Sequence, residues 1–371
     1  MTGVEGHEIL LNAPPMVRSL TIGGDDDALR SQITDRVAGL CDQPPLLVLT
    51  SSCSSALDAA ATLVGVGPGD EVVVSAFTFP TSASPYLARG ATVRFADVDP
   101  ATANVTPETV TAVLTERTRA IVVTHYAGVE AEITSPGRAL AEGIEVVEDA
   151  AHGLFASTGG RPLGRAGRFG ALSFHRTKNI SAIEGGALIV NDPADVDAAL
   201  VAIDKGTNRV QFDRGQVSAY EWMGIGSSWR MPEASVRYLA AELEQADAIQ
   251  ARRHAVVAAY QRDLEPWAQR QGLDLPSIPT GSPAHIFHLV LPTGSDRDRF
   301  VAHCAARGVQ TARHYGSLPD SRFGRTVRHP DDRCPNAAHL GAALVRLPLH
   351  HELTDQDVAR VVSAVSSFEV T

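Results

Sequence analysis

Between residues 46 and 191 the chain alternates short apolar runs with segments whose apolar positions recur at helical spacing. The runs are "LLVL", "EVVVSAF", "TVRFADV", "AIVVTHY", "IEVVEDA", "ALSFH" and "ALIVN"; between them lie "SALDAAATLVGV", "SASPYLARG", "TPETVTAVLTERT" and "PGRALAEG", several closed by glycine. Runs this continuous leave no polar face, so each strand is expected to be covered on both sides. Strands alternating with helices then predict a mostly parallel sheet in an α/β domain. "GRPLGRAGRFG" is rich in glycine but fits neither the dinucleotide fingerprint nor the P-loop, and reads as a turn-rich connector. The character changes after "SSWRMPEAS". Residues 235–262 read as one long amphipathic helix, followed by "HIFHLVLP", a helix near 296–307, "VQTARHY" and a last helix from about Thr354. The expected division is a large α/β domain over residues 1–234 and a smaller α+β domain over 235–371.

Composition narrows the partners. A net charge of −11 over 371 residues argues against a nucleic acid or an anionic membrane as the main partner. No apolar run approaches the roughly 18–20 residues that span a bilayer. The segment "MTGVEGHEILLNAPP" lacks the basic and apolar regions of a secretory leader, so a cytoplasmic location is the expectation. Cys41, Cys53, Cys304 and Cys334 form no CxxC or Cys/His cluster, which suits free thiols and no metal.

Of 32 basic residues only Lys178 and Lys205 are lysines. Arginine replaces lysine readily on a surface, but a guanidinium stays protonated while an ammonium can lose its proton and attack a carbonyl. Lys178 stands just past the run "ALSFH", and Asp149 closes the run "IEVVED". In open α/β sheets, ligands bind at the carboxyl ends of strands. "LLVLTSSCSSALDAA" leads from a strand through small hydroxyl residues into a helix start, a geometry that offers N–H groups and a positive helix end to a phosphate. Lysine, carboxylate and phosphate cradle are together what pyridoxal 5′-phosphate (PLP) requires. Taken singly, each has a plainer reading: a solvated lysine, a turn aspartate, a serine N-cap.

"EDAAH", "SFHRTKN…EGGAL" and "GDEVVVSAFTFPTSA" resemble the DegT/DnrJ/EryC1/StrS family of sugar aminotransferases, as do "FADVDP", "RTRAIVVTHYAGV" and "VRLPLHHELT". The resemblance implies a fold-type I, aspartate aminotransferase-like α/β fold and a homodimer with active sites at the subunit interface. Carried over by position, Lys178 is the lysine that holds the cofactor, Asp149 meets the pyridine nitrogen and Phe79 stacks on the ring. His152 stands near the phenolic oxygen, where many members have Gln. Ser54 and Ser55 contribute to the phosphate cradle, Ser173 adds its hydroxyl, and His314 and Tyr315 lie near the nucleotide-sugar. Ser228 occupies a position where many members carry an Asn that reaches the neighbouring subunit's phosphate. Lys205 and Arg230 are candidates for the nucleotide diphosphate.

"HYAGV", "DKGTNRVQFDRGQVSAYEW" and "IGSSWRM" further resemble the branch that converts TDP-4-keto-6-deoxyglucose to a TDP-4-amino-4,6-dideoxyhexose, with L-glutamate as the donor usual in the family. The loop "NISAIEGG" is about one residue shorter than in that branch. Amination at C3 of a TDP-3-keto-6-deoxyhexose uses the same machinery and is the alternative. The deoxysugar dehydratases that work with pyridoxamine phosphate carry His in place of the lysine, so Lys178 argues against dehydration. A non-catalytic PLP-binding relative would be expected to have a broken site.

Overall fold

The computed structural model describes residues 7–13, 26–132 and 143–370. Helix α1 (Asp26–Leu40) precedes strand β1 (Leu46–Thr50), α2 (Cys53–Val64), β2 (Glu71–Ser75), α3 (Ser84–Ala88), β3 (Thr92–Ala96), α4 (Pro107–Thr111), β4 (Thr118–Thr124) and β5 (Glu145–Asp149). A short hairpin, β6 (Ser157–Thr158) and β7 (Arg161–Pro162), leads to β8 (Phe169–Ser173), β9 (Gly186–Val190), α5 (Val196–Ile203) and α6 (Arg209–Asp213). All seven apolar runs became strands of one sheet, in the order β1-β9-β8-β5-β4-β2-β3. Pairing is parallel from β3 through β2, β4 and β5 to β8, while β9 runs antiparallel to both its neighbours. The mostly parallel sheet read from the sequence is therefore present, with one reversed strand that the pattern did not distinguish. "PGRALAEG" lies largely outside the described residues.

The rest of the chain comprises α7 (Glu233–Glu244), α8 (Ala246–Gln271), β10 (His288–Val290), α9 (Gly294–Ala305), α10 (Gly324–Val327), α11 (Pro335–Ala343), β11 (Leu344–Arg346) and α12 (Asp355–Ser366), the last capped by Thr354. The single helix expected over 235–262 is two helices broken at Gln245. No Gly or Pro marks the break. Val236, Leu239 and Leu243 of α7, with Ala246 and Ile249 at the start of α8, pack with Ile33 and Val37 of α1, whereas Val256, Tyr260 and Leu264 further along α8 pack with Val358, Val361 and Val365 of α12. Two aspartates of the sequence "GGDDDAL" open α1. Asp26 and Asp27 occupy its first turn, at the positive helix end, and Asp26 pairs with Arg237 of α7. "VQTARHY" forms no regular strand but bridges to Arg346 through Ala312.

The glycine-rich connector has a definite job. Alternation along β5 sends Glu148 and Asp149 to opposite faces of the sheet. Fully buried Glu148 accepts hydrogen bonds from the N–H groups of Gly164 (2.9 Å), Ala166 (2.6 Å) and Gly167 (2.6 Å), and its Oε2 lies 2.8 Å from His125 Nε2. The N–H groups that a phosphate would need are thus already taken. His125 Nδ1 accepts from Ala131 N, which leaves Nε2 protonated to donate to Glu148. Burial alone would raise the Glu148 pKa, but the bonds from His125 and from the Gly167 and Gly164 N–H groups outweigh it and hold the carboxyl below its ordinary value. Glu148→Ala would strand three N–H groups and an imidazole, at a cost of about 3–5 kcal/mol. A marked fall in thermal midpoint is expected by scanning calorimetry, with Glu148→Gln intermediate; an unchanged midpoint would refute this role.

Candidate active site

The site forms where β1, β4, β5 and β8 end. Ser52 caps α2, its Oγ accepting from Ser55 N at 3.0 Å, and Ser55 Oγ lies 2.7 Å from both Ser51 Oγ and Ser52 Oγ. The N–H groups of Cys53 and Ser54 have no earlier helical carbonyl to bond, so they face outward from the positive end of α2. Strand β9 presses on this turn. A Cβ on Gly186 would fall 2.4 Å from Cys53 N, which only glycine avoids.

Asp149 is buried, accepting from Ser82 Oγ at 2.6 Å and from Ala151 N at 3.2 Å, while Ser82 is tied through Thr78 to Thr124. Among the described residues no lysine or arginine is ion-paired with it, although Lys178 and Cys53 lie within its electrostatic reach. Lys178 sits in the excursion between β8 and β9, a loop closed by Phe174 N to Gly185 O (2.8 Å) and Arg176 N to Ile183 O (2.9 Å). Asn179 anchors it: Nδ2 donates to Gln250 Oε1 (2.8 Å) and Pro283 O (2.6 Å), and Oδ1 accepts from His285 Nδ1 (2.7 Å). Burial lowers the Lys178 pKa from 10.5 to about 8, with Cys53 and Asp149 opposing and Arg346 reinforcing the shift. Ser173, also buried, accepts from His175 N.

The structure brings His152, Tyr315 and His314 together. His152 Nδ1 accepts from Ala127 N (3.2 Å), so its proton is on Nε2, 3.3 Å from the Tyr315 hydroxyl. The two rings are nearly parallel, at 12°. Burial, helped by Lys178, His314 and Arg346, depresses the His152 pKa well below its ordinary value, so the ring is neutral. Phe79, half-exposed, tilts toward Tyr315 with centroids 6.2 Å apart. Tyr126, buried among these rings, donates to His314 O at 2.9 Å. Tyr126, His285, Asn179 and Arg346 escaped the sequence reading, although "HYAGV" and "VRLPLHHELT" contained two of them.

Lys205, Ser228 and Arg230 form a second group around Asp204 instead of joining Lys178. Lys205 Nζ is 2.8 Å and Arg230 Nη1 3.4 Å from Asp204, which also bridges Ser228 through the backbone. This segment runs beside the hydroxyl-rich turn, with Ser51 N donating to Trp229 O at 2.7 Å. The side chains of Lys205, Ser228 and Arg230 are exposed, while Asp204 is buried. Among the described residues no His/Cys/Asp/Glu cluster suits a metal, and no helix is long and apolar enough to cross a membrane.

The residues present fit PLP. A buried, hydrogen-bonded carboxylate without an ion-pair partner suits a ring N–H, and the open end of α2 suits a phosphate. A half-buried lysine of lowered pKa suits an aldehyde. Sheet and site together define a PLP-dependent transferase of the aminotransferase type. The pattern of the DegT/DnrJ/EryC1/StrS aminotransferase family matches residues 44–366, and the chain belongs to that family: it is a PLP-dependent sugar aminotransferase. Among solved structures it is similar to the aminotransferase TlmJ from Streptoalloteichus hindustanus (27% identity, 97% of this chain and 98% of that one, TM-score 0.81). It is also similar to DesV from S. venezuelae (27%, 94% and 90%, TM-score 0.81). The PLP form of the putative sugar aminotransferase Spr1654 from Streptococcus pneumoniae shares the fold (21%, 97% and 98%, TM-score 0.83).

A lysine whose folded pKa is depressed costs stability. The cost is full below the folded value and fades as pH rises from about 8 toward 10.5. Lys178→Met should therefore raise the thermal midpoint of the cofactor-free protein at pH 7, by the equivalent of about 3 kcal/mol. The gain should shrink across that window; a gain independent of pH would contradict the assignment.

Proposed function

We propose that the chain transfers an amino group from L-glutamate to C4 of TDP-4-keto-6-deoxyglucose, giving a TDP-4-amino-4,6-dideoxyhexose. The observation that carries the chemistry is the half-buried amine of Lys178, its pKa lowered, within electrostatic reach of Asp149 near the open end of α2. Support for the sugar comes from the motifs around His125–Val129, Lys205–Trp222 and Ile225–Met231, and from the exposed cations Lys205 and Arg230, which outnumber their shared Asp204 and suit a diphosphate.

When bound, PLP supplies an aldehyde that condenses with amines and a protonated ring that takes up the electron pair left when a C–H proton departs. The chain's own residues do the rest. Asp149 keeps the ring nitrogen protonated, and the N–H groups of α2 with Ser54 and Ser55 hold the phosphate. Phe79 covers one face of the ring, and Ser173 adds its hydroxyl. Lys178 Nζ, with a pKa of about 8, is neutral often enough near pH 7–8 to take a proton from the donor's α-carbon. His152, kept neutral, orients the Tyr315 hydroxyl toward the sugar together with His314. In this proposal residues 1–234 hold the cofactor and 235–371 close over the substrate.

We further propose a homodimer with shared sites. Trp222, Met223 and Ile225 are 81%, 57% and 79% exposed on one segment, an apolar cluster that a second copy would cover, leaving Ser228 to approach the partner's phosphate. Two expectations follow. Trp222→Asp with Ile225→Asp should shift the protein from dimer to monomer in light scattering and abolish turnover; an unaffected dimer would exclude this surface. Purified protein with PLP, L-glutamate and TDP-4-keto-6-deoxyglucose should yield a product whose NMR spectrum carries the amine on C4, and Lys178→Arg should yield none while keeping the fold. An amine on C3 of a 3-keto substrate instead would overturn the regiochemistry, and activity in Lys178→Arg would overturn the role of that lysine.

A further inference from the structure

His285, three residues before β10, stands beside His152 in the wall of the Lys178 site with one ring nitrogen unused. Its protonation follows from its neighbours. Pro283 O can only accept, so Asn179 Nδ2 (2.6 Å) and Gln250 Nε2 (3.2 Å) both donate to it, and Asn179 Nδ2 also donates to Gln250 Oε1 (2.8 Å). That leaves Asn179 Oδ1 to accept from His285 Nδ1 at 2.7 Å. Burial, reinforced by His152, Lys178, Arg253 and Arg346, holds the His285 pKa well below its ordinary value. The ring is therefore neutral, and with its proton on Nδ1 it keeps a lone pair on Nε2. His285 is only 3% exposed, and among the described residues nothing donates to Nε2.

Few groups suit that lone pair. The ring packs on His152 with centroids 4.6 Å apart, and His152 turns its own Nε2–H to the Tyr315 hydroxyl. Two imidazoles of opposite polarity thus lie side by side, one giving a hydrogen and the other ready to take one. Lys178, Arg253 and Arg346 are all within electrostatic reach of His285, so an arriving ammonium is repelled. A carboxylate or a phosphate brings no hydrogen to give. A neutral hydroxyl fits both conditions. The keto sugar of a sugar aminotransferase supplies one on the carbon next to the reacting carbonyl, whereas the nucleotide's own hydroxyls lie beyond the diphosphate. A buried acceptor left unpaired costs stability until such a hydroxyl meets it, and a site built this way rejects a ligand that lacks the group.

We propose that His285 Nε2 accepts a hydrogen bond from the hydroxyl beside the reacting carbonyl, the 3-hydroxyl of TDP-4-keto-6-deoxyglucose, and so selects α-hydroxy ketones over their deoxy counterparts. This rests on the acceptor sugar proposed above. The experiment compares kcat/KM for TDP-4-keto-6-deoxyglucose and for its 3-deoxy analogue in the PLP holoenzyme, His285→Phe and His285→Gln. The half-reaction with L-glutamate, followed through the cofactor's absorption band, is measured alongside. Wild type should prefer the hydroxylated sugar by roughly a hundredfold. In His285→Phe the preference should fall to about threefold, with His285→Gln, whose amide oxygen accepts, recovering part of it. Disturbance of Asn179, and through it of Lys178, slows both sugars and the L-glutamate half-reaction alike, so it cancels in the ratio. Equal use of the two sugars by wild type, a comparison that depends on no variant, overturns this proposal alone, as does a preference that survives in His285→Phe. A wild-type enzyme that aminates neither sugar while L-glutamate still converts the cofactor overturns the acceptor reading and this proposal with it.

Discussion

Holding the Lys178 amine out of water has a free-energy cost, and much of the surrounding structure follows from that constraint. A solvated lysine at its ordinary pKa is protonated at neutral pH and cannot attack an aldehyde. Desolvation brings it to about 8, yet full burial without compensation would be prohibitive. The compensation is partial and local: Asp149 and Cys53 favour the charged form while Arg346 opposes it. The amine is therefore poised between its two states. Poise also needs rigidity, and Asn179 supplies it by tying the loop after Lys178 to Gln250, Pro283 and His285.

The sheet converts adjacency in sequence into separate tasks. Glu148 and Asp149 are chemically alike and one residue apart, but the pleat sends them to opposite faces. One is consumed by His125 and three backbone N–H groups of the connector, fixing the end of β5 in place. The other is hydrogen-bonded by Ser82 and Ala151 but has no ion-pair partner among the described residues, which suits a ring N–H. The rigidity of the first is what makes the position of the second reproducible, because a strand end free to fray could not hold Asp149 beside Ser82.

Most of the fold was legible because its signals are local. Seven apolar runs, the serines before α2 and the glycine after it each carry their meaning within a few residues. Gln245 is different: the chain there is helix-forming throughout, and no local signal announces the break before the packing passes, along α8, from one core to another. The reversal of β9 was also silent, since a fully buried antiparallel strand reads like a parallel one. At the site, Lys178 and Asp149 were legible from strand-end placement and chemistry, whereas the division of the cations was not. In the sequence Lys205 adjoins Asp204, but nothing marks Arg230 as sharing that carboxylate. Only the structure joins both to Asp204, and only the structure leaves Arg346 without a partner.

That difference among the cations bears on how one site handles two substrates in turn. An exposed pair such as Lys205 and Arg230, already neutralised in part by Asp204, can exchange ligands with little desolvation and is screened by salt. Such a pair suits a large, hydrated diphosphate that must arrive and leave in every cycle. Lys178 and Arg346, by contrast, are withdrawn from water far enough to lower both pKa values, so each is costly to keep charged, while Lys205 and Arg230 stand exposed.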